Sequence, residues 1–591
     1  MRKQTKLVAV TAAAALLAIG ASMTSFAATG WVEEDGTWYF YDNDGNRVED
    51  EWKKSGDNWY WLDSEESGAM ATDKLIEDDD DTYYVDSTGV MVKNTWVKVV
   101  NEDQDDDEDP AEYHYYYMQN NGKAYKNGDA STIKKKVIDG KTYAFDDEGI
   151  MVYGWVDASG DRLTGDDGWA EGAGDADAHT YYFGSWEDGS MKTGWQKITV
   201  YDDTDGKEDD YDYWFNFKSN GRVRKMDDEW KSNGKYYRFD DRGVMVYQWS
   251  MTNASDSNAS TSNWAYFNSP EDGARLTKGW FKVVAPNEDN TFVESDDDTF
   301  AVGDADEENE RWYYADGDGK IASGEIKKIK GKYYGFWPEG TDKAGAMLKG
   351  LCALKVAEDG SISKVIKWDM DADDLDDCMD NEGDFENKMV DGASLYYFGD
   401  EDTDGSLHTG NVNLNLDGDS YTFTFSKTGG AEGRGKGLTG VDDGKYIYKF
   451  GKRMKADSDE KYIVVKASNT TTGASNDTGS DGVVVEEIDA ADLRKKAQPA
   501  GRNKDGDTVR FVGQENTAWD TDYYLVNTAG SIQGDKTAAK DGDDWYFYTN
   551  DDQIYMYTNN KTLKGNDEYT MTVDLDGWKK WTPTNTTDPL S

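Results

Sequence analysis

The sequence predicts an all-β protein built from tandem β-hairpin repeats stacked as a solenoid, with long acidic insertions at many hairpin tips. A short unit recurs along the chain, for example over residues 31–52, 52–75 and 230–249. Asp-Gly-type pairs, which suit two-residue turns, stand between segments rich in strand-forming aromatic residues. A unit of about 20 residues is too small to bury its own apolar face, so neighbouring units must stack.

Each unit contains a first strand, a hairpin turn and an aromatic return strand. In the first copy, Trp31 opens the first strand, Asp35-Gly36 forms the turn, and residues 38–41 form the return strand. Two strands alone are marginally stable in water, but stacked hairpins can bury the aromatic residues between them. The equivalent predicted turns are Ser55-Gly56, Asp139-Gly140, Asn233-Gly234, Lys330-Gly331 and Asp443-Gly444.

A second turn glycine sets the spacing of the rest of the unit. An apolar residue, often Met, follows it by two positions, and the next Trp follows it by six or seven, as in Gly149, Met151 and Trp155. Many copies carry extra residues at the hairpin tip, which we interpret as long hairpin extensions or mobile acidic loops. These additions lie between Trp96 and Tyr115, Trp155 and Tyr181, Trp195 and Tyr213, Trp249 and Trp264, and Trp280 and Trp312.

The start of the chain is typical of a secretory signal peptide. A basic start precedes the uncharged apolar run from Leu7 to Gly20, and a small-x-small cleavage motif ends at Ala27. A membrane anchor is the alternative, but about 20 apolar residues are needed to span a bilayer and this run is shorter. The predicted segments are a signal peptide (1–27), the repeat array (28–455), a linker or degenerate region (456–519), and degenerate C-terminal repeats with a tail (520–591).

The composition restricts the partners. The formal net charge is −55, whereas binding to nucleic acid requires clustered Lys and Arg. We therefore expect no nucleic-acid partner, and no membrane contact once the signal is removed. Such acidity favours cationic ligands and weak binding of divalent cations. Acidic chains are often disordered, but 22 Trp, 38 Tyr and 19 Phe argue against disorder for most of this one.

Cys352 and Cys378 either form a disulfide, which an exported chain permits, or remain separate thiols. The stretch Asp400-x-Asp402-x-Asp404-Gly405 begins like a calcium loop, but its twelfth position is Asn411 where a bidentate Glu is expected. The same stretch aligns with a repeat turn, and we favour that interpretation. We predict no metal centre and no cofactor.

The sequence does not predict catalytic machinery. The histidines are His114, His179 and His408, and each stands near an aromatic strand of a repeat. They form no Ser-His or Cys-His arrangement with the characteristics of a nucleophilic site. Carboxylates are too abundant in this chain to indicate an acid-base pair. We therefore expect no enzyme activity, and a secreted wall hydrolase is the lowest-ranked alternative.

The succession Gly-Trp, hairpin Gly, Trp-Tyr-aromatic, turn Gly and x-Met resembles the cell-wall-binding repeats of Gram-positive surface proteins, also called choline-binding repeats. The resemblance covers roughly residues 30–455 and, more weakly, 520–560. It is clearest in Gly154-Trp155 with Gly149-Ile150-Met151, and in Gly194-Trp195 with Gly189-Ser190-Met191. The chain departs from the pattern where Leu75, Ile326, Leu351 and Asn411 replace the tryptophan.

The resemblance implies aromatic boxes that hold a quaternary ammonium over their ring faces. The same aromatic residues can instead form the core between repeats, because alternation sends only every second side chain of a strand to a given face. The first predicted box comprises Trp31 and Trp38 with Trp59 or Tyr60. The second comprises Trp52 and Trp59 with Tyr83 or Tyr84, closed by Met70, and the third comprises Trp230 and Tyr236 with Met245 and Trp249.

We therefore expect an exported, non-catalytic protein attached noncovalently to the bacterial cell wall or a related glycan. Its aromatic pockets would bind a choline-like group or stack on a sugar ring of a cell-wall polymer. The alternative is a structural or adhesive surface protein whose acidic hairpin tips bind a host or matrix partner.

Overall fold

A computed structural model describes residues 29–583 with internal gaps. The gaps are 106–108, 129, 174, 176–177, 204–207, 226–229, 252–259, 287–309, 358, 390–392, 401–403, 429–432, 470–482, 491–499, 503–507, 512–520, 542–543, 551, 560, 562–568 and 574–578. The predicted signal peptide and parts of several predicted tip insertions lie outside the described residues. The chain divides into two compact units, one within residues 1–247 and 268–274, the other within 248–267 and 275–591.

The described part of the first unit consists of β-strands with two short 3₁₀ turns, Ser64–Glu66 and Gly168–Ala170. The strands are β1 (Gly30–Glu34), β2 (Thr37–Tyr41), β3 (Glu51–Ser55), β4 (Asn58–Asp63), β5 (Ala69–Met70), β6 (Lys74–Asp78), β7 (Asp81–Val85), β8 (Thr95–Val100), β9 (Tyr113–Met118), β10 (Lys135–Ile138), β11 (Lys141–Ala144), β12 (Trp155–Val156), β13 (Tyr181–Tyr182), β14 (Gly194–Asp202), β15 (Asp209–Phe217), β16 (Trp230–Ser232) and β17 (Lys235–Tyr237).

The second unit continues the series and adds the helix α1 (Ala372–Asp380) and the 3₁₀ turns Thr261–Asn263 and Gly383–Phe385. Its strands are β18 (Trp249–Met251), β19 (Trp264–Tyr266), β20 (Gly279–Val283), β21 (Arg311–Ala315), β22 (Ile326–Ile329), β23 (Lys332–Gly335), β24 (Gly350–Val356), β25 (Ile362–Lys367), β26 (Ala393–Phe398), β27 (Gly410–Leu416), β28 (Asp419–Phe425), β29 (Gly440–Asp442), β30 (Tyr446–Lys449), β31 (Lys452–Arg453), β32 (Tyr462–Asn469), β33 (Val483–Ile488), β34 (Ala500–Arg502), β35 (Thr508–Phe511), β36 (Thr521–Asn527), β37 (Ala539–Lys540), β38 (Tyr546–Asn550), β39 (Gln553–Thr558), β40 (Tyr569–Val573) and β41 (Lys579–Pro583). No helix in the described segments has the length and apolar character needed to cross a bilayer.

The predicted all-β hairpin architecture is confirmed. Most sheets are antiparallel pairs of consecutive strands, such as β6–β7, β14–β15 and β20–β21. The predicted turn Asp35-Gly36 has two positive φ angles, 50° and 87°, as a two-residue hairpin turn of type I′ requires. The same combination occurs at Asp139-Gly140, Asn233-Gly234, Lys330-Gly331 and Asp443-Gly444.

The predicted turn Ser55-Gly56 is displaced by one residue. Ser55 pairs with Asn58, so the loop consists of Gly56 and Asp57. In this pair the positive φ belongs to Gly56, at 60°. Glycine at the first loop position is typical of a type II′ turn, which the Asp-Gly analogy did not anticipate.

Consecutive hairpins are joined by main-chain hydrogen bonds, which is the arrangement that stacking requires. The amide of the residue two positions after a second-turn glycine donates to a carbonyl on the return strand of the preceding hairpin. Met91 N–H donates to Trp59 O at 2.9 Å in the first unit, and Met347 N–H donates to Trp312 O at 2.8 Å in the second. The bond recurs at Met151 to Tyr115, Met191 to Thr142, Met245 to Trp214 and Leu407 to Tyr333.

The structure explains the spacing between the glycine and the methionine. The methionine of one hairpin lies under the second-turn glycine of the next, and a Cβ added to Gly189 would lie 2.2 Å from Met151 Sδ. Gly189 also has a φ of +55°, so both space and backbone conformation favour glycine. The same packing joins Met70 with Gly89, Met91 with Gly122, Met245 with Gly273 and Met347 with Gly405.

The insertions take different forms. Between Trp195 and Tyr213 the hairpin is simply longer, because β14 and β15 pair continuously from Gly194–Phe217 to Asp202–Asp209. Between Trp155 and Tyr181 the chain instead forms the 3₁₀ turn Gly168–Ala170, whose Trp169 is buried. The extension interpretation is therefore confirmed for the Trp195 insertion, whereas the Trp155 insertion returns to the core.

The second unit contains additional elements. Residues 456–519, predicted to be a linker or degenerate region, contain β32 to β35 in their described parts, and β32 pairs with both β33 and β36. Cys352 and Cys378 are buried free thiols that lie in separate apolar clusters, which corresponds to the second of the two predicted alternatives. Burial raises the pKa of Cys352 to about 12. At the proposed calcium-like stretch, Gly405 N–H donates to Asp400 O in a turn, while residues 401–403 lie outside the described part.

Candidate functional site

Alternation along the return strand divides its aromatic residues between two neighbouring hairpins. On β4, Trp59 and Trp61 lie opposite Lys54 and Trp52, on the face of the first-strand tryptophan. Tyr60 points to the other face, where its ring lies 5.3 Å from that of Trp31 in the preceding hairpin. Each Trp-Tyr pair therefore serves two interfaces.

We use the term aromatic triad for three residues that meet at one interface between hairpins. The first is the Trp of the first strand. The second is the second residue of the return strand in the same hairpin, or the residue that takes its place in a longer hairpin. The third is the third return-strand residue of the next hairpin. Trp52, Trp59 and Tyr83 are an example, and the Trp52 and Tyr83 ring centroids lie 5.1 Å apart. The indole N–H of Trp52 donates to Asp78 Oδ2 at 3.1 Å.

The first two predicted boxes coincide with triads, and strand alternation selects between their alternatives. In the first box, Tyr60 and not Trp59 contacts Trp31. In the second, Tyr83 contacts Trp52, while Tyr84 packs with the next apolar cluster beside Leu75. Met70 is half-buried and lies against Gly89. The ligand-binding role of these residues stays a prediction.

The third predicted box draws its residues from both compact units, and its ligand-binding role stays a prediction. In the first unit, Trp230 packs against Trp195 and carries the Arg224 guanidinium 4.4 Å from its ring centroid. Met245 is buried beneath Gly273. In the second unit, Trp249 is 0% exposed, and its indole N–H donates to Val284 O at 2.8 Å. Trp249 therefore offers no ring face to a ligand in this structure, and Tyr236 carries Lys231 over its ring.

Two further triads contain none of the predicted site residues, and they have nearly the same geometry in the two units. In the first unit, Trp195 lies 6.3 Å from Trp214 at an interplanar angle of 84°, and 5.0 Å from Tyr237 at 68°. In the second, Trp280 lies 6.4 Å from Trp312 at 83°, and 4.7 Å from Tyr334 at 65°. All six residues are half-buried. We call these two the open triads.

At two other interfaces the first-strand Trp also meets an aromatic ring of the next hairpin at a steep angle, but this Trp is almost fully buried. We call them the sealed interfaces. Trp155 lies 5.0 Å from Phe215 at 66°, and Trp249 lies 5.0 Å from Tyr313 at 76°. Trp155 is 9% exposed, and Trp169, from the insertion, lies in the same buried cluster and packs against Phe215. The Trp169 indole N–H donates to Tyr201 O, and the Arg242 guanidinium lies 5.0 Å from its ring centroid.

The rims of the interfaces carry paired charges. The lysine that begins the return strand of one hairpin forms an ion pair with an aspartate of the next hairpin. This aspartate directly precedes the second-turn glycine, as in Lys332 with Asp404 at 2.7 Å. Lys235 with Asp272 and Lys141 with Asp188 repeat the arrangement. At the Trp195 triad, Glu271 accepts from Trp214 Nε1 at 3.1 Å and pairs with Lys197 at 3.0 Å. Hydrogen bonds from Lys197 and Trp214 lower the pKa of Glu271.

This arrangement is suited to an organic cation. A cation over an aromatic ring gains about 0.5–2 kcal/mol per interaction, more when it is desolvated. Three rings set at steep angles present several faces to one small group, and the net charge of −55 raises the local concentration of cations. The open triads thus provide shape and electrostatic attraction together.

Comparison with known proteins identifies the repeat at the start of the array. A family model for the choline-binding repeat matches residues 28–74. No curated protein sequence matches the chain.

Similar solved structures come from Streptococcus pneumoniae. CbpJ is 18% identical over 56% of this chain and 99% of its own, with a TM-score of 0.31. Choline binding protein F is 20% identical over 57% of this chain and 100% of its own, with a TM-score of 0.29. The modular autolysin LytC, solved with a synthetic peptidoglycan ligand, is 16% identical over 56% of each chain, with a TM-score of 0.28.

The matched residues contain the hairpins β1–β2 and β3–β4, and with them the triad formed by Trp31, Trp38 and Tyr60. Residues 28–74 of this chain therefore match the choline-binding repeat.

Proposed function

We propose that this protein is an exported, non-catalytic wall-binding protein whose aromatic triads bind choline-like groups on a cell-wall polymer. The observation that supports this most is the recurrence of one half-buried triad geometry, at Trp195 and again at Trp280. A ring arrangement required only for packing would be expected to close, as it does around Trp249. The match of residues 28–74 to the choline-binding repeat supports the same ligand class.

Several weak sites would give firm attachment to a polymer. One aromatic box supplies little binding energy after desolvation and ordering are paid, so a single choline would exchange quickly. A polymer that presents many choline-like groups converts later binding events into intramolecular ones, which raises the overall affinity. Free choline at high concentration would then release the protein by occupying the triads.

The Asp109 carboxylate has structural partners. Burial opposes ionisation of Asp109, but hydrogen bonds from Tyr153 and His114 and the charge of Arg162 lower its pKa. His114 Nε2 lies 2.9 Å from Asp109 Oδ2, and the Tyr153 hydroxyl donates to Asp109 Oδ1 at 2.5 Å. This cluster ties the inserted residues near 109 to a later hairpin, which supports a structural role for its charges.

Sedimentation with purified walls tests the proposal. The full chain should bind choline-bearing walls, be released by millimolar choline, and bind poorly to walls in which ethanolamine replaces choline. The double variant Trp195→Ala/Trp280→Ala should bind several-fold more weakly, whereas Trp195→Phe/Trp280→Phe should retain most binding because it keeps ring faces. Retention that is insensitive to choline and to both double variants would contradict the proposal.

A further inference from the structure

A second aromatic surface lies outside the open triads, at the hairpin formed by β8 and β9. Trp186, from the second turn of the hairpin after next, lies 6.4 Å from both Tyr113 and Tyr115, at interplanar angles of 37° and 32°. All three rings are half-buried. Val100 pairs with Tyr113 across the sheet and is 62% exposed. We call Trp186, Tyr113 and Tyr115 the aromatic platform.

The turn that carries Trp186 is held firmly. The Asp188 carboxylate accepts from Lys141 Nζ at 2.9 Å and from the Ser190 hydroxyl at 2.7 Å, and it also pairs with Lys192. Gly189 of the same turn packs on Met151. A ring held on such a turn loses little conformational entropy when a ligand stacks on it, and preorganisation of this kind increases affinity.

The charge at the platform differs from that at the Trp195 triad. Lys98 Nζ lies 3.4 Å from the Tyr113 ring centroid and 6.0 Å from that of Tyr115. Lys197, which occupies the equivalent position opposite Trp214, pairs with Glu271 at 3.0 Å and Asp212 at 3.5 Å. Within the described residues, Lys98 has no carboxylate partner. Its ammonium already occupies a ring face and would repel a second cation, so the platform disfavours a quaternary ammonium.

The same groups suit a sugar. A pyranose has an apolar C–H face that can lie on an aromatic ring, and its hydroxyl oxygens accept hydrogen bonds. Lys98 Nζ stands beside the rings as a donor, and Trp186 Nε1 has no hydrogen-bond partner among the described residues. An apolar surface with a few polar groups at its edge is the usual composition of a small-ligand site, and Trp and Tyr suit it because one end is apolar and the other polar.

We propose that Trp186, Tyr113 and Tyr115 form a saccharide-binding platform that stacks a pyranose ring of a glycan, with Lys98 donating to its oxygens. Trp186 and Tyr113 belong to no triad, whereas Tyr115 is shared with the interface of Trp96 and Tyr143. Trp186 and Tyr113 therefore distinguish this site from choline binding. It would let the protein contact the glycan strand itself as well as the choline-like groups it carries.

Affinity electrophoresis of the full chain tests this site, with native gels that contain dextran, glycol chitin or hyaluronan. At least one glycan should retard the protein, and millimolar choline should not abolish the retardation. Retardation by the two neutral glycans would indicate stacking with hydroxyl contacts, and retardation by hyaluronan alone would indicate that Lys98 binds a sugar carboxylate. Trp186→Ala should raise the apparent dissociation constant about five- to tenfold, as loss of one ring contact implies.

Matched variants keep the test decisive. Glu187→Gln changes an exposed residue of the same turn and should leave retardation unchanged, and Trp186→Phe should retain most of it. Tyr113→Ala provides a second variant if Trp186→Ala folds poorly by circular dichroism. Elution of Trp186→Ala from choline-bearing walls should match the parent protein, which separates this site from the triads. The proposal is overturned if none of the three glycans retards the protein, or if both alanine variants are retarded like the parent.

Discussion

The open triads and the sealed interfaces contain the same ring pair but differ in what covers it. Trp195 and Trp280 keep a half-buried ring face beside a second tryptophan, whereas Trp155 and Trp249 have almost none. At Trp155 the covering group is Trp169, which an insertion supplies. The repeat therefore builds the ring pair, and at Trp155 a residue from an insertion helps to close the interface.

Substituting the sealed tryptophan of the second unit should have the largest effect on stability. Trp249→Ala removes a fully buried indole and its hydrogen bond to Val284 O, so the free energy of unfolding should fall by about 3–5 kcal/mol. Urea denaturation of the variant measures this, with Trp280→Ala as the half-buried comparison. If Trp280→Ala costs as much stability as Trp249→Ala, the distinction between open and sealed interfaces is wrong.

Removing the covering residue should convert a sealed interface into an open one. Trp169→Ala should cost about 3 kcal/mol of stability, because a buried indole is lost, and should expose the ring of Trp155. Calorimetric titration should then show additional choline binding, and acrylamide should quench more of the tryptophan fluorescence. Trp169→Phe, which refills the space, serves as the control. Unchanged quenching in Trp169→Ala would mean that Trp169 does not seal the interface.

The glycine-on-methionine packing is shared by open and sealed regions, so its loss should affect stability and not ligand choice. Gly189→Ala places a Cβ against Met151 and should destabilise the chain by about 1–3 kcal/mol more than Gly140→Ala. Gly140 has a similarly positive φ of +81°, but nothing lies within 4 Å of an added Cβ. Thermal unfolding of both variants separates crowding from backbone strain. Equal midpoints would show that the contact with Met151 is unimportant.

The smallest effect concerns the charges at the interface rims. Burial alone would raise the pKa of Asp188, but hydrogen bonds from Lys192 and Lys141 lower it to about 2. The ionised carboxylate therefore stabilises the folded state above pH 4 or so, and this contribution, about 1 kcal/mol after allowance for solvent screening, is lost as the pH falls from about 4 to about 2. Asp188→Asn should flatten the stability profile in that window, whereas Asp147→Asn, on an exposed residue, should leave it unchanged. A profile that is equally steep in Asp188→Asn would assign the acid sensitivity elsewhere.

The repeat was predictable from sequence because glycine and tryptophan mark fixed backbone positions. The spacing from Gly149 to Met151 and Trp155 locates a turn and a strand without knowledge of the rest of the chain. The sequence left two alternatives open in each of the first two boxes, Trp59 or Tyr60 and Tyr83 or Tyr84. The structure selects Tyr60 and Tyr83.

The remaining site residues were hidden by the insertions. Trp195 and Trp214 are neighbours across a hairpin, but a long extension separates them in sequence, so neither was placed in a box. A search for the second and third residues after each hairpin turn, with the insertion removed, would have found Tyr237 and Tyr334. The sealing by Trp169 was not predictable, because it depends on how an irregular segment folds back onto the sheet.

The most direct measurement is the stoichiometry of choline binding by isothermal titration calorimetry. We expect Trp280→Ala to bind fewer choline molecules than the parent. Trp280→Phe and Trp155→Phe should bind the same number as the parent, because the first keeps a ring face and the sealed Trp155 interface holds no ligand. An unchanged stoichiometry in Trp280→Ala, or a loss of bound choline in Trp155→Phe, would contradict the assignment of ligand binding to the open triads.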